Sequence, residues 1–122
     1  MSASNAQPIE QAAQRWRAVC TRRDLVAHSG VVARVDDEQV ALFYFPKAEG
    51  GERVFAVANR DPKSGANVIG RGIVGSLYGD LVIASPLYKQ HFRLADGGCL
   101  EYPEQRLKTW PVRLNGDTVE IA

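Results

Sequence analysis

The stretch that decides the fold is LVIASPLYKQHF, residues 81–92. Leu81-Val82-Ile83-Ala84 reads as a strand of β-branched and apolar residues, and Ser85-Pro86 ends it, because proline brings no N–H to a ladder. A short polar loop comes next, and strand-like residues resume at Gln90-His91-Phe92. A sheet interrupted by a proline loop between two well-patterned runs implies that the loop is built for a purpose. Residues 59–67, NRDPKSGAN, repeat the arrangement, since they too come after an apolar run (Arg53 to Ala58) and carry a proline.

Outward from these loops the texture stays the same. Short apolar runs are separated by turn residues at intervals of roughly 8 to 12 positions, which predicts an all-β sandwich or barrel. Trp16 to Cys20 leads in, and TRRDL makes a turn. Gly30 to Val35 pairs with Gln39 to Phe45 across Asp36-Asp37-Glu38. Ile73-Val74 and Leu81 to Ala84 flank a tight turn at Tyr78-Gly79-Asp80. Gln90 to Leu94 leads through Ala95-Asp96-Gly97-Gly98 into Cys99-Leu100-Glu101. Lys108 to Leu114 and Thr118 to Ile121 close the chain as a hairpin signalled by Asn115-Gly116. The run Val40 to Phe45 alternates only weakly, as expected of a strand buried on both faces. No segment has a sustained helical period.

A chain of 122 residues, 45% of them hydrophobic, is expected to form one domain with one modest core. We expect a flexible N-terminal tail over residues 1–14 and the domain proper over 15–122. Fifteen Lys and Arg against fourteen Asp and Glu give a net charge of +1. That balance gives no reason to expect nucleic acid as a partner. No apolar run approaches the length of a membrane span, and the start has neither the basic nor the apolar region of a signal peptide. Two cysteines make no disulfide framework. These features together predict a cytoplasmic protein.

Several motifs resolve to structural roles. Gly70 to Gly75, GRGIVG, has the letters of a dinucleotide fingerprint, but no helix can fit between it and the Gly79 turn, so its glycines are expected to serve turns and close strand approach. Asp36-Asp37-Glu38 is a solvated turn. Cys20, His28, His91 and Cys99 lack the spacing of a structural zinc site. Ser85, His91 and Asp96 have the residue types of a triad, but nothing in the sequence activates the serine.

The paired proline loops and their surroundings resemble the Rieske domain. In that family, loops of the form Cys-Pro-His and Cys-Pro-x-His hold a [2Fe–2S] cluster, two thiolates on one iron and two imidazoles on the other. VFAVANRDPKSGANVIGRG (54–72) looks like the first loop with its flanking strand and downstream turn, and LVIASPLYKQHFRLADGG (81–98) like the second with its Phe-x-Leu-x-x-Gly hairpin. Both prolines, Pro62 and Pro86, are in place. The positions matched to the ligands hold Asp61, Lys63, Ser85 and Tyr88 instead. The resemblance therefore implies a Rieske-like antiparallel β-sandwich or barrel with two loops forming a vacant cluster-site tip.

Trp16-x-x-Val19-Cys20, ALFYFP, VFAVANRDP, SGANV, RGIVG, LVIASPLYKQHF, CLE and WPVR, in that order, narrow the resemblance to one branch. It is the small subunit of cytoplasmic NAD(P)H-dependent nitrite reductase, the NirD family. That resemblance implies a non-catalytic subunit that supports or docks to a large subunit, where FAD, an iron–sulfur cluster and sirohaem carry electrons to nitrite and yield ammonium for nitrate assimilation. It implies no cofactor, no metal and no catalytic residue on this chain. The readings set against it are a Rieske-type ferredoxin of an oxygenase and a stand-alone protein-binding module.

The resemblance carries two expectations for the tip. Asp61, Lys63, Ser85 and Tyr88 are hydrogen-bonding types, expected to bridge the loops: Asp61 by accepting from the Ser85 hydroxyl or a backbone N–H, Tyr88 by supplying bulk. Arg60, Lys63, Arg71 and Lys89 are candidates for a basic partner-docking tip.

Overall fold

A computed structural model describes residues 15–122; the expected tail, 1–14, lies outside the described residues. The elements are β1 (Arg17–Thr21), β2 (Gly30–Val35), β3 (Glu38–Ala48), β4 (Gly51–Ala58), β5 (Ile73–Leu77), β6 (Asp80–Ala84), β7 (His91–Arg93), β8 (Thr109–Trp110), β9 (Val112–Asn115) and β10 (Thr118–Ile121). Two single 3₁₀ turns, Arg22–Asp24 and Ile69–Arg71, are the helical elements among the described residues. The fold is all-β and antiparallel, as expected.

The strands form three sheets, in the orders β1-β10-β9, β2-β3-β4-β8 and β5-β6-β7. The long strand β3 explains the arrangement. Its alternate residues Ala41, Phe43 and Phe45, with Phe55 and Val57 of β4, pack against Ile83, Phe92 and Leu94. Its other residues Val40 and Leu42, with Ala56, pack against Val119 and Ile121. The central sheet is thus covered on both faces, which is why its pattern is continuous rather than alternating. Burying a side chain such as Phe43 or Phe92, both 0% exposed, contributes about 1.5–3 kcal/mol each.

The turns follow the preferred residue types only in part, and Tyr78 takes a positive φ that a bulky side chain rarely adopts. Tyr78 (φ 53°) and Gly79 (φ 83°) form the two-residue link between paired Leu77 and Asp80; both positive angles are what a type I′ hairpin demands. The last hairpin is present, but its loop is Gly116-Asp117, and Asn115 is the final paired residue, opposite Thr118. Lys108 to Leu114 is not one strand. Pro111 separates β8, which pairs with β4, from β9, which pairs with β10. Proline has no N–H to continue a ladder, so the chain changes sheets there. Cys99 to Glu101 likewise forms only an isolated bridge, Phe92 to Cys99.

Side chains tie these sheets together at the surface. Arg22 Nε and Nη2 donate to Glu52 at 2.9 and 3.0 Å, and Nη1 donates to Gly116 O at 3.0 Å. The guanidinium holds the Glu52 carboxyl below the usual range.

Two of the three glycines of GRGIVG, Gly70 and Gly72, serve close approach. A Cβ on Gly72 would lie 2.3 Å from Ala84 O, and one on Gly70 would lie 2.8 Å from Val32 Cγ2. The motif is therefore a packing device between β2, the 3₁₀ turn and β6.

Candidate functional site

The first loop leaves β4 through Asn59, whose Nδ2 donates to Gln39 Oε1 at 2.9 Å and whose Oδ1 accepts from Gly70 N at 2.6 Å. Asp61 then organises the turn. Its N–H donates to Ala66 O at 2.8 Å, and its backbone oxygen accepts from Gly65 N at 2.7 Å. Its carboxylate Oδ1 accepts from Lys63 N at 2.8 Å and Ser64 N at 3.2 Å. This is the local side-chain-to-backbone bonding for which aspartate is favoured before a turn.

The second loop is closed by Ser85. Its N–H donates to Gln90 O at 2.9 Å, and its backbone oxygen accepts from Lys89 N at 3.0 Å. Lys89 has φ 61°, the left-handed conformation that lets the chain turn back into β7.

The two loops meet in two places. Ser85 Oγ donates to Asp61 Oδ2, with both residues at or below 1% exposure. The Lys63 ammonium sits 4.4 Å from the centre of the Tyr88 ring. So the four positions matched to cluster ligands form two cross-loop pairs, Asp61 with Ser85 beneath and Lys63 with Tyr88 above. The expected bond from the serine hydroxyl to the aspartate is present, and Tyr88 covers the first loop through its ring face.

A third segment, which the sequence pattern does not point to, completes the tip. Tyr102 places its ring 6.0 Å from the Lys63 ammonium. Gln105 Oε1 accepts from Gln90 Nε2 at 3.1 Å. Glu101 accepts from His91 N at 2.8 Å and meets His91 Nδ1 at 2.6 Å. Desolvation pushes the Glu101 carboxyl up, but the bonds from His91 prevail and hold it below the usual range. Tyr102-Pro103 is legible as a turn signal; its packing partner is not, because nothing local specifies contact with Lys63.

The other candidates disperse. Cys20 lies in β1 and Cys99 beside β7, both as free thiols raised by burial. Among the described residues no three of His, Cys, Asp or Glu form a metal-holding group. Ser85 bonds Asp61, His91 bonds Glu101, and Asp96 bonds Arg93 and Gly98, so the three do not form a triad. Asp36 and Glu38 make surface ion pairs with Arg17 and Lys108 at 2.9 and 2.8 Å. Arg60, Lys63, Arg71 and Lys89 are all exposed.

The side chains at the matched positions do not fit a [2Fe–2S] group. Such a group takes thiolate and imidazole donors. An ammonium has no lone pair to give, a serine hydroxyl keeps its proton near neutral pH, and that proton is already committed to Asp61.

The family description "Rieske-like [2Fe-2S] domain" matches residues 15–122. The nitrite reductase (NADH) small subunit of Escherichia coli K12 is 36% identical over 107 residues, which are 88% of this chain and 96% of that protein. The nitrite reductase [NAD(P)H] large subunit of Klebsiella oxytoca is 38% identical over 106 residues, 87% of this chain; the match spans 11% of that longer protein. The solution structure of the Escherichia coli protein NirD superposes with a TM-score of 0.78, covering 88% of this chain and 96% of that one. The ferredoxin of carbazole 1,9a-dioxygenase from Nocardioides aromaticivorans, 20% identical with a TM-score of 0.69, shares the fold alone. By sequence across nearly its whole described length, and by fold, the chain belongs to the Rieske-like domain family and, within it, to the nitrite reductase small subunits.

Proposed function

We propose that this chain serves an NAD(P)H-dependent nitrite reductase as its cofactor-free small subunit, docking on the large subunit and supporting the assembly that reduces nitrite to ammonium. The observation that carries the reading is the chemistry of the tip. Asp61, Lys63, Ser85 and Tyr88 are spent on one another rather than left open to iron, so the loops keep a rigid, presentable shape without a redox group. FAD, the iron–sulfur cluster and sirohaem then belong to the large subunit, and no residue here is catalytic.

Docking is supported by the Klebsiella relative, where the similar region occupies 11% of a protein named as the large subunit. A domain that can be part of the same polypeptide works next to the rest of it. The exposed Tyr88 and Tyr102 about the Lys63 ammonium, with Leu87 exposed in the second loop, give the tip the mixed apolar and cationic character of a protein contact. No helix among the described residues is long and apolar enough to cross a membrane; we assign the assembly to the cytoplasm.

Reconstitution tests this. Large subunit purified alone is expected to oxidise NAD(P)H with nitrite poorly and to gain activity on addition of this chain. The chain itself is expected to have no visible absorbance after expression with iron and sulfide supplied. An assembly equally active without it, or a coloured chain, would refute the proposal.

A further inference from the structure

The fold brings Arg60 together with cations that are remote in sequence. Arg34 of β2, Arg106 and Lys108 line the same groove, of about 540 Å³, with Asp37 and Glu38 on its wall. Lys108 is committed to Glu38 at 2.8 Å. Arg34, Arg60 and Arg106 have no carboxylate within ion-pairing distance among the described residues. Asp96, whose carboxyl feels the Arg106 charge, is bonded to Arg93 and to Gly98 N–H. The groove is thus lined by three arginines that no carboxylate among the described residues pairs, with Asp37 beside them, on a chain whose whole net charge is only +1.

Such a concentration is not a balanced solvated face. Arginines gathered along one groove raise the local positive potential, which a partner's carboxylates would match. Guanidinium is the side chain suited to this, because its planar fork takes a carboxylate in two parallel hydrogen bonds. The volume lies within the roughly 300–1,000 Å³ of ligand-holding clefts, which suits a short segment. Lys63, by contrast, faces Tyr88 and Tyr102 and does not line this groove.

We propose that the groove formed by Arg34, Arg60 and Arg106 receives an acidic segment of the large subunit, one carrying at least two carboxylates. This rests on the docking reading above and assigns it a surface: the flank of the first loop, bounded by β2 and the chain leading into β8. The first loop contributes Arg60, Pro62 and Asn67 to this groove, and of the cations Arg60, Lys63, Arg71 and Lys89 it is Arg60 that lines it.

The test is calorimetric titration of the large subunit with the full chain, in about 50 and 300 mM salt, a range over which screening of exposed charges rises steeply. The variants are R34Q/R60Q/R106Q and, as a control removing the same charge elsewhere, R23Q/K47Q/R53Q. The groove variant is expected to bind roughly tenfold more weakly at low salt and to lose most of its salt dependence. The control should stay within about threefold of wild type with its salt dependence kept. Unchanged far-ultraviolet circular dichroism checks that each variant is folded. Equal binding by wild type and the groove variant would overturn the groove and leave docking intact. So would equal weakening by both variants, which would mean that net charge matters and position does not. A wild-type chain that does not bind at all would overturn docking and the groove together.

Discussion

The Ser85 hydroxyl donates to the Asp61 carboxylate across 24 residues of chain, and both side chains are withdrawn from solvent. One buried hydrogen bond therefore joins the two proline loops at their base. The same carboxylate accepts from Lys63 N and Ser64 N, so it also fixes the internal turn of the first loop.

Asp61→Ala would orphan the Ser85 hydroxyl and two backbone donors at once. A buried unsatisfied group costs about 1–3 kcal/mol, and part of the cost is relieved where the backbone can reach water, so we expect a loss of about 2–4 kcal/mol. Ser85→Ala should cost about 1–2 kcal/mol. The double variant should lose less than the sum, with a coupling of about 1 kcal/mol. Urea denaturation measures all three; strict additivity would show that the bond does not act as a unit.

The central sheet and both loops are legible in the sequence because their signals are local. Pro62 and Pro86 mark the loops, and the unbroken run Val40 to Phe45 marks a strand covered twice. The division at Pro111 is also local, but Lys108 to Leu114 keeps a strand-like composition on either side and so reads as one strand. The approach of Tyr102 to Lys63, and the placing of Arg34, Arg60 and Arg106 along one groove, have no signal of that kind. Those contacts depend on how separate segments pack, and surface side chains leave no periodicity that announces their neighbours.

Lys63 and Tyr88 offer a smaller, independent measure of loop cohesion. An exposed cation–π contact contributes about 0.5–1 kcal/mol. Tyr88→Phe keeps the ring face and should leave stability within about 0.3 kcal/mol, whereas Tyr88→Ala should lose about 0.5–1 kcal/mol. If Tyr88→Phe cost as much as Tyr88→Ala, the phenol hydroxyl rather than the ring would be the contact.

Asp96 gives the acid limb of stability a named contributor. The Gly98 N–H bond, aided by Arg93, holds its folded-state carboxyl below the ordinary value of 3.8. A depressed folded pKa means that the contribution is fully present above the unfolded value and is lost as pH falls through the folded one. Thermal melts should therefore show wild type losing stability progressively below about pH 4, and Asp96→Asn should lose less over that interval while starting lower at pH 7. Parallel curves for the two proteins would show that Asp96 is not linked to folding.

The two glycines Gly72 and Gly75 lie three residues apart in the same string and separate packing from pattern. A Cβ at Gly72 would press on Ala84 O at 2.3 Å and on Ile83 Cδ1 at 2.9 Å, and the first of these is backbone that must move with β6. β6 leads directly into Ser85, so displacing Ala84 also pulls on the bond to Asp61. Gly75 has nothing within 4 Å of its Cβ position. Gly72→Ala is expected to cost about 1–3 kcal/mol by overpacking, with Gly75→Ala within about 0.5 kcal/mol of wild type or slightly stabilising through the unfolded chain. Denaturation midpoints at constant m-value distinguish the cases. Equal effects at the two positions would mean that the glycines matter for flexibility rather than for the close contact between the 3₁₀ turn and β6.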